Sequence, residues 1–384
     1  MMSKWWQVPV AIATALTCCP LLAVAYPISP VNCHAELVSG VCLGYDARFG
    51  QDRTALLQAI DHSLDYLATD AAVTAYADYP LTGVTHERVR RSLVRFRQLV
   101  ATSHSAQQLQ QSVAQEFEFY RSVGNDGAGH VDFTGYFEPT YSASAVPTAE
   151  YRYPLYGRPA DLEDWSLPHP TRAALEGRDG LQGDQGPLAG LELVWLRDRL
   201  EAFLVQVQGS ARLQLIDGSV MSVGYAGRTD YPYTSIGRAL IDDGIVAEDE
   251  LTLPVLIDYF EQYPAALDRY LPRNERFVFF KPTGGSPPIG NLNVPVTAGR
   301  SIATDKTLMP PGALALISLE LPVQATADSW QTVAVNRYVL DQDTGGAIQG
   351  PGRVDIFVGT GEQAGQQAGL INTGGQLYYL LLRQ

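Results

Sequence analysis

The stretch Asp341–Gly365, DQDTGGAIQGPGRVDIFVGTGEQAG, holds seven glycines and four carboxylates. One acid, Asp355, sits inside the short apolar run Val354-Asp-Ile-Phe-Val358. Period-two alternation puts Val354 and Ile356 on one face of a strand, with Arg353, Asp355 and Phe357 on the other. Two readings are open from the pattern alone. Asp355 is either a solvated surface carboxylate beside Arg353, or a partly desolvated acid whose raised pKa lets it donate a proton. Asp341 and Asp343 form an Asp-x-Asp pair, which is too few oxygen ligands for a divalent-cation site. A solvated turn is expected there, with Asp343 bonding the backbone of the following Thr-Gly-Gly. Gly359-x-Gly361-x-x-Ala364 has the outline of a dinucleotide-binding turn, but no βαβ pattern surrounds it and no acid follows Glu362 to hold a ribose.

Working outward, the strands around this stretch, "ALALISLEL", "WQTVAVNRYVLDQD", "RVDIFVG" and "GQLYYLLL", predict a small Gly-rich β-barrel over the last hundred residues, with one helical turn near "EQAGQQAG". At the other end, "RTALLQAIDHSLDYLAT", "HERVRRSLVRFRQLV" and "QQLQQSVAQEFEFYRSV" repeat apolar residues every three or four positions, predicting helices to about Val123. Ser105 with Gln108 resembles a capping box. Between these parts, "HVDFTGYFEPTY", "LELVWL" and "AFLVQVQGSARLQLIDGSVMSVGYAG" read as strands, with a hairpin at Asp217-Gly218. Helices are expected from Ser235 to about Tyr270. Thr134, Tyr136 and Glu138 share one strand face, and the alternation predicts the same for Gln206, Gln208 and Ser210. Hydroxyls, amides and aromatic rings at alternate positions suit a sugar, and the 20 tyrosines make such a groove easy to furnish.

The first 25 residues have the n-region, apolar run and Ala-Val-Ala ending of a cleaved export signal, and the alternative is an uncleaved membrane anchor. Export would leave 26 basic against 41 acidic residues. That balance argues against nucleic acid as a partner. Two cysteines, Cys33 and Cys42, would remain and could close a small disulfide loop. The His are scattered, so no metal site is expected.

Seven stretches in order resemble the membrane-bound lytic murein transglycosylase A family. They are FTGYFEP (133–139), YPLYGRP (153–159), VQVQGSARLQLIDG (205–218), GYAGRTDYPYTSIGRALIDDG (224–244), RFVFFK (276–281), VPVTAGRSIATDKTLMPPG (294–312) and the opening stretch itself. The resemblance implies a mainly β, α+β chain: a double-psi β-barrel domain with a second β-rich domain inserted and a groove between them. The expected organisation is a signal over 1–25, an N-terminal helical part over 26–142, the insert over 143–276 and the barrel over 277–384. It implies Asp355 as the catalytic acid/base and Asp343 as a supporting acid. Thr134, Gly135, Tyr136, Gln206, Gln208, Ser210, Tyr225, Lys281 and Arg300 are the expected glycan-binding positions. Some relatives read His-Phe-Asp where this chain reads Arg353-Val354-Asp355. The implied activity is cleavage of peptidoglycan glycan strands to 1,6-anhydromuramic products without a metal or organic cofactor. A hydrolase on the same scaffold and a non-catalytic polysaccharide binder are the alternatives. The chain is expected to be a monomer, exported to the periplasm, with attachment to the outer membrane left open.

Overall fold

The computed structural model describes residues 26–31, 37–38, 41–77, 79–326 and 329–384. The expected export signal and the Cys33–Cys42 pairing lie outside the described residues. Among the described residues no helix is long and apolar enough to cross a membrane.

The chain opens with β1 (Ile28–Val31), β2 (Leu37–Val38) and β3 (Val41–Cys42). Helices α1 (Phe49–Leu67), α2 (Asp70–Ala77), α3 (His86–Thr102) and α4 (Ala106–Glu116) follow. Each helix buries one stripe; in α3 this is Val89, Leu93, Phe96 and Val100, the three-and-four spacing of an amphipathic helix. The Ser105 hydroxyl caps α4 by accepting from Gln108 N, while Gln108 Oε1 accepts from His104 N. The expected helix to Val123 ends early, because Phe117–Ser122 is strand β4 with Phe117 and Phe119 in the core. Alternation of large rings there overrides the helical period.

Next come β5 (Val131–Glu138), β6 (Thr140–Ser144), β7 (Tyr153–Tyr156), α5 (Arg172–Glu176), β8 (Glu192–Leu196), α6 (Arg199–Gln208), β9 (Ser210–Leu215) and β10 (Val220–Arg228). Helices α7 (Ile236–Asp242), α8 (Leu253–Gln262) and α9 (Leu267–Tyr270) lead to β11 (Val278–Pro282). The chain ends with β12 (Ser301–Ala303), β13 (Leu314–Thr326), β14 (Ser329–Asp343), β15 (Arg353–Thr360), α10 (Glu362–Leu370) and β16 (Asn372–Leu382). The "EQAGQQAG" segment is thus a nine-residue helix and not a single turn.

Strands β16, β13, β14, β12, β15 and β5 are neighbours in that order, and β16 also pairs with β5, which closes a six-stranded barrel. Two pairings, β12 with β14 and β15 with β5, are parallel. Its interior merges with the buried faces of α1 and α3 into one core. A second six-stranded sheet, β11-β10-β9-β6-β8-β7, is built from chain lying between β5 and β12, and it has a core of its own.

One expected strand is a helix. Residues 199–208 form α6, capped by the Asp198 carboxylate on Leu200 N and Glu201 N and ended by Gly209 at φ 78°. Phe203, Val205 and Val207 mimic strand alternation. The Asp N-cap and the left-handed glycine carry the stronger local signal, because they satisfy the orphan ends of a helix.

Candidate active site

Asp355 pairs across the sheet with Thr134 of β5 on one side and with Ala303 of β12 on the other. Ala303 pairs in turn with Asp343 of β14. Directly paired residues project to one face, so both acids stand on the same side of the sheet, two strands and roughly 10 Å apart at Cα. The opposite face carries Val354, Ile356 and Ile302 into the barrel core. Barrel closure therefore selects which side of β15 the acid occupies.

The Thr134 hydroxyl donates to Asp355 Oδ1 at 2.9 Å and accepts from Arg353 Nη2 at 3.2 Å. Asp355 is partly buried. Loss of solvation pushes its carboxyl up to about 6, against the opposing pull of the Thr134 hydrogen bond and the Arg353 charge. The nearby Asp343 charge adds to the rise. A carboxyl in this range is largely protonated in mildly acid solution and can both give and take a proton. The reading of Asp355 as a plain surface carboxylate is not what the fold produces.

Asp343 is held differently. Its Oδ2 accepts from the Tyr136 hydroxyl at 2.7 Å, and its Oδ1 accepts from Asn291 N and Thr344 N, each at 2.8 Å. Burial still raises its pKa above the ordinary value. Tyr136 also packs its ring against Phe357, centroids 5.2 Å apart, which fixes the phenol against Asp343. The expected bond from Asp343 to the following backbone is present, at Thr344 N, but the Asp-x-Asp pair is not a solvated turn. Both acids end strand β14, and Asp341 is fully buried against the Thr304 hydroxyl, Lys306 Nζ and the Tyr379 hydroxyl at 2.6 Å.

The other expected glycan positions divide. Thr134 and Tyr136 serve the acids directly. Gly135 is a packing position, since a Cβ there would come within 2.9 Å of Ala368 Cα in α10. Gln206 is buried on α6, where its Oε1 accepts from Arg172 Nη2 and Val278 N, so it is not available to a sugar. Gln208 Oε1 accepts from Phe137 N at 3.1 Å, tying the inserted sheet to the end of β5. Arg300 is fully buried, and its guanidinium is taken by Asp46, Asp52 and the Tyr338 carbonyl; it holds the barrel to the N-terminal segment and cannot reach a ligand. Ser210 and Lys281 flank Gly224 on adjacent strands, whereas Tyr225 pairs with Phe280 on the alternate face and is exposed. Asn291, whose backbone holds Asp343, carried no sequence signal. Glu138, on the Thr134 and Tyr136 face, is buried between the Thr360 hydroxyl at 2.9 Å and Arg212 at 3.5 Å.

Known proteins share the sequence and the fold of this chain. Residues 132–281 match the MltA specific insert domain and residues 300–381 match the 3D domain. The chain is 31% identical over 67% of both chains to membrane-bound lytic murein transglycosylase A of Vibrio cholerae serotype O1. It is 32% identical over 68% of both chains to the Escherichia coli K12 protein of that name. Among solved structures it is similar to a membrane-bound lytic murein transglycosylase from Agrobacterium tumefaciens, with TM-score 0.71, 27% identity, and coverage of 93% of this chain and 98% of that one. The structure of E. coli MltA with bound chitohexaose gives TM-score 0.70 and 26% identity over 93% of this chain and 95% of that one. The chain belongs to the membrane-bound lytic murein transglycosylase A family.

Proposed function

We propose that this protein is a peptidoglycan lytic transglycosylase in which Asp355 is the single acid/base. The observation that carries the reading is a partly buried carboxyl raised to about 6 and oriented by Thr134, in a member of this family. Protonated Asp355 donates to the oxygen of the β-1,4 bond between N-acetylmuramic acid and N-acetylglucosamine as that bond breaks through an oxocarbenium-like state. The resulting carboxylate takes the proton from the muramyl C6 hydroxyl, whose oxygen closes on C1 to give the 1,6-anhydro sugar. An internal hydroxyl held over C1 has a high effective molarity, so no second carboxylate is needed to activate water.

Asp343 fits a supporting role. Its oxygens accept from three donors, which orients the carboxylate but leaves little capacity to deprotonate a water. The glycan would lie in a groove between the barrel and the inserted sheet, the usual place for a ligand at a domain boundary. The chain acts as a monomer in the periplasm, either free after cleavage at Ala25 or associated with the outer membrane.

The test is mass spectrometry of peptidoglycan digested by the wild type and by Asp355→Asn. Anhydromuropeptides from the wild type alone are expected. Reducing-end muropeptides from the wild type would make it a hydrolase, and glycan binding with no product would make it a binding protein.

A further inference from the structure

Arg228, the last residue of β10, and Arg276, just before β11, donate to one carbonyl oxygen. Arg276 Nε reaches Tyr231 O at 2.8 Å and Arg228 Nη1 reaches it at 3.4 Å, which keeps the two donor nitrogens within about 6 Å of each other. Among the described residues neither guanidinium forms an ion pair with a carboxylate. That differs from Arg238, Arg269 and Arg273, which lie between the same two strands and each pair with a carboxylate. The contrast is sharp in a chain with 41 acidic and 27 basic residues. Two adjacent cations repel, and among the described residues of an acid-rich chain neither is paired with a counter-charge.

Their position connects them to the acids. The Arg276 guanidinium packs on Gly346, close enough that a Cβ there would lie 1.8 Å from Nη1. Gly346 belongs to the loop that leaves Asp343. Arg276 is half-buried, and burial together with the Arg228 charge holds its pKa below the ordinary value. Tyr225 and Tyr233 interact electrostatically with Arg276, and Tyr225 is exposed. The result is a pair of forked donors beside phenol rings, where the inserted domain meets the barrel.

We propose that Arg228 and Arg276 bind a carboxylate of the substrate. Peptidoglycan offers two sources: the acidic peptide on each muramic acid, and the lactyl carboxyl that becomes free when the peptide is removed. A guanidinium pair suits either, since Arg matches a carboxylate bidentately. The inference rests on the peptidoglycan reading above and names what that site selects beyond a neutral sugar chain. It also accounts for how an acidic protein keeps a local attraction for an acidic polymer.

The test measures the full exported chain and its Arg228→Gln and Arg276→Gln variants on three ligands: peptide-bearing glycan strands, strands stripped of peptide by an amidase, and neutral chitohexaose. The variants should bind one acidic ligand about tenfold more weakly relative to chitohexaose, and the wild-type preference for that ligand should shrink in high salt. Loss confined to peptide-bearing strands assigns the carboxylate to the peptide, and loss confined to stripped strands assigns it to the lactyl group. An equal loss on all three ligands, or no loss on either acidic one, overturns the proposal. Arg228 is exposed, so its variant stays informative if Arg276→Gln fails to fold. Arg276→Lys, which keeps the charge without the fork, should recover part of the preference. If the wild type forms no anhydro product from any strand, the reaction assignment fails, while the binding comparison still tests the arginine pair.

Discussion

Replacing Thr134 by Val isolates the control of the acid/base. Val keeps the shape of Thr but removes the hydroxyl that donates to Asp355 Oδ1 at 2.9 Å. That bond stabilises the ionised carboxylate, so its loss raises the pKa. The same hydroxyl anchors Arg353 Nη2 at 3.2 Å, and any retreat of that cation acts in the same direction. A hydrogen bond to a charged group contributes about 1.5–3 kcal/mol, and one pKa unit corresponds to about 1.4 kcal/mol. Water reaching the partly open carboxyl replaces some of the loss, so the expected shift is about one unit upward from the starting value of about 6. The assay is the pH dependence of kcat/KM for anhydromuropeptide release. The alkaline limb, where the proton donor is lost, should move up by about one pH unit in Thr134→Val. An unmoved limb, or one that moves down, would refute Asp355 as the titrating acid or Thr134 as its partner.

Three further outcomes follow from the same geometry. Because the folded-state pKa of Asp355 is raised above its unfolded value of 3.8, its contribution to stability is fully present below about pH 4 and is lost as pH rises through about 6. Asp355→Asn, which cannot ionise, should therefore be more stable than the wild type at pH 8 by about 1–3 kcal/mol, with the gap closing near pH 4; urea unfolding at both pH values measures this. Tyr136→Phe removes one of the donors to Asp343, which should raise the Asp343 pKa further, lower kcat and cost about 1–2 kcal/mol of stability, read by steady-state kinetics and the same titrations. Arg300→Gln strips the cation from buried Asp46 and from Asp52, and an uncompensated buried charge should cost about 3–5 kcal/mol of unfolding free energy, read by urea titration. An effect on KM with stability intact would instead restore Arg300 to the glycan-binding set.

Much of the fold was legible because its signals are local. The amphipathic spacing in α1 and α3, the Ser105 cap, the Asp217-Gly218 hairpin and the long strands of the barrel each depend on residues within a few positions of one another. Where local signals competed, the weaker one misled. The valines of α6 alternate like a strand, but Asp198 and Gly209 cap it as a helix. Phe117 and Phe119 continue a helical run in sequence and yet turn into β4.

The site divides along the same line. Asp355, Thr134 and Tyr136 could be singled out because an acid in an apolar strand and hydroxyls at alternate positions are visible in the chain itself, whereas Asp343 read as a turn and entered only through the family resemblance. Their partnership was not visible: Thr134 meets Asp355 across 221 residues of sequence, and Tyr136 meets Asp343 across 207. Gln206 and Arg300 looked equally suited to a glycan until tertiary packing gave one to Arg172 and the other to carboxylates 248 and 254 residues away. Periodicity and capping are properties of neighbours along the chain, so sequence alone determined where most strands and helices lie and which side chains were candidates for the chemistry. Desolvation and counter-charge depend on what the closed barrel and the inserted sheet bring together. Only the tertiary structure could decide that Asp355 is the carboxyl raised to about 6, that Asp341 is paired with Lys306 in the core, and that Arg228 and Arg276 stand together with no acid paired to either among the described residues.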